Sequence, residues 1–130
     1  IATASDEGNL LFFVRHLKLD RWFDLSKIVY DNGSFTGKRE MYIKAAQNLG
    51  LFPQECLVVE DAPSGIEGAY QAGIGEILAL GPRERRNDLK NLKGVSGVIL
   101  SLEQFPRERF LHERYIPLVI EEFVGVLDFN

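Results

Sequence analysis

Apolar positions along the chain follow two alternating patterns. Leu57-Val58-Val59, Ile77 to Leu80 and Val98-Ile99-Leu100 are short continuous runs that read as strands, the first of a kind buried on both faces. Between them, apolar residues recur every three or four positions. Leu10, Phe13, Val14 and Leu17 predict a helix over 9–19, with Gly8 and Asn9 at its start, and Ile43, Ala46 and Leu49 predict one over 40–49 that Gly50 stops. A third helix is expected to start near Ser64, where Ser64 and Glu67 have the spacing of a capping box, and to end at Ala72-Gly73. Two further strands are predicted at Ile1 to Ser5 and Ile28-Val29-Tyr30, the latter closed by the turn residues Asp31-Asn32-Gly33. The charged segment Arg83 to Lys93 is expected to be solvated and partly helical.

Strands alternating with helices argue for βαβ units and a mostly parallel sheet, an α/β fold of the three-layer, Rossmann-like kind. With 130 residues there is room for one domain and its core, here divided into a core over 1–105 and a tail over 106–130 that is expected to supply a sheet strand. The opening residues read as a strand already in progress, so the sheet is expected to be incomplete at the N-terminus and the chain to be a truncated part of a larger domain.

Composition narrows the function classes. The chain is 45% hydrophobic and 26% charged, within the globular range. A net charge of -4, with no basic cluster interleaved with aromatic residues, argues against nucleic acid as a partner. No apolar stretch approaches the ~20 residues that a bilayer requires, so no membrane partner is expected. The single cysteine, Cys56, rules out an internal disulfide and suits the cytoplasm; beside Leu57-Val58-Val59 it reads as a buried small hydrophobe.

The chemistry concentrates where Glu60-Asp61 follows directly on an apolar strand. Ligands of parallel α/β sheets bind beyond the carboxyl ends of the strands, and paired carboxylates there suit Mg²⁺. On spacing alone the plain alternative stays open, with one acid capping the next helix and the other solvated. Ser5 and Lys38 on their own are an ordinary strand-end serine and a solvated lysine, and Asn9 a helix-start residue.

Taken in order, these segments resemble the haloacid dehalogenase superfamily, in its β-phosphoglucomutase-like and phosphoglycolate-phosphatase-like branch. Ala2-Thr3-Ala4-Ser5 resembles its second motif, Gly37-Lys38 its third, and Glu60-Asp61 followed by Gly65-Ile66 its fourth. The resemblance implies Mg²⁺-dependent phosphoryl transfer, as phosphatase or phosphomutase, on a small phosphorylated metabolite. It implies Ser5 and Lys38 as catalytic groups on the phosphoryl oxygens, and Asp61 and Glu60 as metal ligands. Here Lys38 runs into Arg39-Glu40 without the family's Pro-Ala-Pro-Asp, a shortening of about two residues that would move Lys38.

In the family the nucleophile is an aspartate of an Asp-x-Asp motif that comes before these segments, as does the cap that chooses the substrate, and residues 1–130 are expected to lack both. The isolated chain is therefore expected to be nearly inactive. Phe123 to Leu127 followed by Asp128-Phe129-Asn130 resembles the missing strand, with Asp128 where the nucleophile belongs; an apolar tail that merely packs is the alternative. A sheet short of its central strand would also favour homo-oligomers. The alternative function is a non-catalytic binding or assembly module. A phospho-receiver domain is disfavoured by the order of Ser5, Lys38 and Glu60-Asp61.

Overall fold

The computed structural model describes residues 1–110. Three parallel strands, β1 (Leu57–Glu60), β2 (Glu76–Leu80) and β3 (Val95–Ile99), pair in the order β1-β2-β3. In the register Val58 lies beside Ile77 and Glu60 beside Ala79, and the β2–β3 ladder slips between Ile77 and Leu78. Five α-helices accompany them: α1 (Glu7–Leu17), α2 (Lys38–Leu49), α3 (Pro63–Ala72), α4 (Arg86–Lys90) and α5 (Arg107–Phe110). The core joins Tyr42 of α2, Ile66, Ala69 and Ala72 of α3, Ile77 and Ala79 of β2, and Leu89 of α4. Alternate residues of β2 thus seat α3 and α4, as a strand's two-residue period dictates.

The helix starts differ from the predicted ones, and each for a local reason. Helix α1 opens earlier because the Asp6 side chain, not Gly8 or Asn9, caps it, accepting from the Asn9 N–H at 2.8 Å. Helix α2 begins at Lys38 because Glu40 reaches back to the Thr36 N–H at 2.9 Å and its hydroxyl at 2.6 Å. The Ser64 capping box does not form: Pro63, with its fixed φ, takes the first helical position, which puts Ser64 inside the helix. Glu67 instead accepts from Gln71 one turn on, at 3.2 Å.

Ala2 and Val29 form a single parallel bridge rather than two full strands. Thr3 N–H donates to the Val29 carbonyl at 2.8 Å and Val29 N–H to the Ile1 carbonyl at 3.0 Å, and further on Asp31 N–H donates to the Ser5 carbonyl at 3.0 Å. The predicted turn is present, with Gly33 at φ 80° and its N–H on the Asp31 carboxylate at 2.9 Å. Strand β1 is half-buried along its whole length, not buried on both faces as its apolar run suggested. Among the described residues it is an edge strand with β2 as its one partner, so one flank is open. Cys56 shares this half-exposure; burial raises its thiol pKa, Glu55 adds to the rise, and Sγ contacts the Phe52 carbonyl at 3.5 Å. The segment Phe123 to Asn130, with Asp128, lies outside the described residues.

Candidate active site

Glu60 is the last residue of β1 and Asp61 the first beyond it, so both carboxylates stand at the carboxyl end of the parallel sheet. Their surroundings differ. Glu60 Oε2 accepts from the Tyr42 hydroxyl at 2.5 Å, and Oε1 accepts from the backbone N–H groups of Asp61 and Ala62 at 2.9 and 3.0 Å. Burial pushes the Glu60 carboxyl pKa up, but the hydrogen bonds from Tyr42, Ala62 and Asp61 together outweigh it and hold it below the usual carboxylate value. The Tyr42 phenol moves the other way: burial and then Glu60 raise its pKa, so it stays a donor. Asp61 is exposed.

This geometry depends on a residue without a side chain. A Cβ on Gly65, in the first turn of α3, would stand 2.0 Å from Glu60 Oε2, so only glycine leaves the carboxylate its place above the helix. Gly68, one turn on, does the same for α2. A Cβ there would lie 2.7 Å from Lys38 Cβ and 3.2 Å from the Arg39 backbone nitrogen, so the two helices meet closely where α2 begins.

Lys38 and Tyr42 stand one turn apart on α2 and point to the same place. With Ala2, Ala4, Met41 and Glu60 they line a narrow cleft of about 30 Å³, room for one or two waters. The cleft brings together Lys38, Glu60 and the Ala2–Ser5 segment, three stretches well separated in the chain. Ser5 and Asp61 follow Ala4 and Glu60 directly but do not line it; the Ser5 hydroxyl accepts from Thr3 Oγ1 at 3.1 Å. Asp61 instead faces a wider cavity of about 470 Å³ at the ends of the three strands, shared with Leu80, Gly81, Pro82, Arg85, Leu100, Ser101 and Leu102. Sequence reasoning missed Tyr42, although its spacing from Lys38 on a predicted helix would have marked it, and missed Arg85 and Ser101, which carry no motif.

Among the described residues no three His, Cys, Asp or Glu side chains cluster as a metal site. A two-carboxylate set still fits a magnesium ion, which takes one or two carboxylates and completes its shell with water and phosphate oxygens. Asp61 offers an exposed carboxylate, whereas Glu60 Oε1 is already filled by two N–H groups and Oε2 keeps one lone pair beside the Tyr42 bond.

Residues 1–73, which carry the Ser5 segment, Lys38 and Glu60-Asp61, match the haloacid dehalogenase-like hydrolase family. The chain belongs to that family. It is 32% identical to a phosphorylated carbohydrates phosphatase of Thermotoga maritima over 102 residues, 77% of this chain and 45% of that protein. It is 45% identical to hexitol phosphatase A of Escherichia coli over 65 residues, 50% of this chain and 28% of that one. A family IA haloacid dehalogenase hydrolase from Entamoeba histolytica superposes with a TM-score of 0.74 at 32% identity, over 98% of this chain and 52% of that one. The chain spans about half or less of the length of these relatives. Among the described residues the three-stranded parallel sheet and its helices are an incomplete α/β haloacid dehalogenase fold. No helix among the described residues is long and apolar enough to cross a membrane.

Proposed function

We propose that this chain forms the phosphate- and magnesium-binding part of a phosphoryl-transfer site that acts on small phosphorylated metabolites, sugar phosphates foremost. The observation that carries the reading is the convergence of Lys38 and Glu60 on one cleft beside the Ala2–Ser5 segment. Two relatives named for phosphatase action on carbohydrate or hexitol phosphates support the substrate class.

Each side chain has a definite part. The Lys38 ammonium offsets negative charge on the phosphoryl oxygens, and the Ser5 hydroxyl donates to one of them. Asp61, seconded by Glu60, would hold the magnesium ion; when bound, the ion neutralises charge that builds on the phosphoryl group. Tyr42 positions Glu60 and keeps it ionised. In the reaction a carboxylate oxygen forms a bond to phosphorus while the bond from phosphorus to the sugar oxygen breaks and that oxygen takes a proton from solvent; water then attacks the acyl phosphate, releasing phosphate and the free carboxylate. Asp128 takes the part of the attacking carboxylate only where residues 123–127 supply the missing strand; a chain whose tail merely packs has no attacking carboxylate and turns nothing over.

Calorimetric titration of the 130-residue chain with Mg²⁺ and with inorganic phosphate tests the assignment. Asp61→Asn should weaken Mg²⁺ binding at least about tenfold, and Lys38→Ala should weaken phosphate binding by about as much, the loss of one charge-assisted contact. Unchanged affinities in both variants would refute the site. For turnover, the chain should hydrolyse a generic phosphate ester no faster than its Asp61→Asn variant; clear turnover that Asp61→Asn abolishes would show a working nucleophile within the chain.

A further inference from the structure

We propose that the wide cavity at the strand ends is a substrate subsite in which Arg85 and Ser101 hold a second anionic group, a carboxylate or phosphate remote from the phosphoryl group. This rests on the reading of Glu60-Asp61 as the phosphoryl end of the site. The cavity, of about 470 Å³, is large enough for a small metabolite, and Asp61 belongs to its wall. Asp61 follows Glu60 directly at the end of β1, so this cavity neighbours the narrow cleft that Glu60 lines.

The walls are divided by strand. Asp61 follows β1, Gly81, Pro82 and Arg85 follow β2, and Ser101 follows β3. Adjacent strands lie ~4.8 Å apart, so the β1 and β3 ends are separated by roughly 10 Å. A ligand with its phosphoryl group near Asp61 then reaches Arg85 and Ser101 with its far end. Leu80, Pro82, Leu100 and Leu102 give the span between an apolar surface that suits a carbon chain.

Charge decides what that far end carries. Asp61 repels an anion at the near side unless a cation intervenes, whereas Arg85 is, among the described residues, the one cationic residue on the cavity wall. Among the described residues its side chain has no hydrogen-bond or ion-pair partner. The guanidinium is a planar fork that matches carboxylate or phosphate oxygens in pairs, and the Ser101 hydroxyl adds a donor on the wall of the same cavity.

Two open-chain ligands that differ only at the far end isolate the effect: glucitol 6-phosphate, which ends in a hydroxymethyl group, and 6-phosphogluconate, which ends in a carboxylate. Each is titrated, with Mg²⁺ present, into the isotopically labelled 130-residue chain and followed by amide chemical shifts, alongside inorganic phosphate. The native chain should bind 6-phosphogluconate about tenfold more tightly than glucitol 6-phosphate, the worth of one charge-assisted contact. Arg85→Ala should erase that preference, Arg85→Lys should restore part of it, and neither should lower the melting temperature, since Arg85 is exposed. Lys38→Ala should instead weaken all three ligands alike. A native chain with no preference, or one that Arg85→Ala leaves intact, overturns the subsite. If Lys38→Ala changes nothing while Arg85 still sets the preference, the phosphoryl site is wrong and the subsite stands.

Discussion

The Tyr42 hydroxyl donates to Glu60 Oε2 at 2.5 Å and so fastens helix α2 to the carboxyl end of strand β1. The acceptor is ionised and half-buried, which makes this contact stronger than a bond between neutral groups. Tyr42→Phe keeps the ring in the core and removes the donor alone. It should lower stability by about 1.5–3 kcal/mol, the usual worth of a hydrogen bond to a charged group. The urea midpoint should fall with an unchanged slope, and the Glu60 carboxyl should titrate at higher pH by NMR. A variant whose midpoint and Glu60 titration both match the native chain would show that the bond does not form in solution.

The same carboxylate sets a pH dependence. Glu60 titrates below its ordinary value of 4.5, because the bonds from Tyr42, Ala62 and Asp61 outweigh the opposing effect of burial. A folded-state pKa below the unfolded one means that the unfolded chain binds the proton more tightly. The contribution of Glu60 is therefore complete above pH 4.5 and declines as pH falls through the lower folded value. Urea unfolding at a series of pH values should show native stability falling on acidification below that point. Glu60→Gln should fall less steeply; equal slopes in the two chains would assign the acid sensitivity elsewhere.

Much of this arrangement was legible in the sequence, and the exceptions have physical causes. Leu57-Val58-Val59 and Ile77 to Leu80 announced β1 and β2 because continuous apolar runs leave few other structures, and Glu60-Asp61 was placed at a strand end by adjacency alone. The starts of α1 and α2 were misplaced because the capping groups, Asp6 and Glu40, act through loop geometry that apolar periodicity does not encode. Burial of β1 was overread, since an apolar run reports what a strand can bury and not which neighbours it has. Arg85 and Ser101 escaped notice for a related reason. They line one cavity only because β2 and β3 are adjacent, and nothing in the local sequence records that pairing.

Gly65 is the residue that leaves room for Glu60. An added methyl would come within 2.0 Å of Oε2 and 2.2 Å of Cδ, and the carboxylate must then leave its three donors. The obstacle is a side-chain end, so the backbone of α3 need not move. Gly65→Ala should therefore fold with a modest stability loss of about 1–3 kcal/mol, typical of an overpacked position. Its Mg²⁺ affinity should fall more than that loss would suggest, because Glu60 no longer stands beside Asp61. Calorimetry that returned native Mg²⁺ affinity in a folded Gly65→Ala chain would exclude Glu60 from the metal site.

Gly68 tests the placement of Lys38 in the opposite manner, through the backbone. A methyl there would meet Lys38 Cβ at 2.7 Å and the Lys38 carbonyl carbon and Arg39 nitrogen at 3.2 Å, and none of these atoms is a flexible side-chain end. The start of α2 has to retreat from α3, carrying the Lys38 ammonium away from the cleft it shares with Glu60 and Ala4. Gly68→Ala should accordingly lose about 1–3 kcal/mol of stability from overpacking. Inorganic phosphate should bind roughly tenfold more weakly, since one lost charge-assisted contact is worth about a factor of ten. Mg²⁺ binding should fall less, because Asp61 faces the other cavity and Glu60 is held by Tyr42, one turn beyond the shifted helix start. The contrast between the two ligands separates a shifted Lys38 from a general loosening of the fold, which would weaken both together. Calorimetry showing equal losses for phosphate and Mg²⁺, or a phosphate affinity untouched despite the crowding, would mean that the contact between α2 and α3 does not set the position of Lys38.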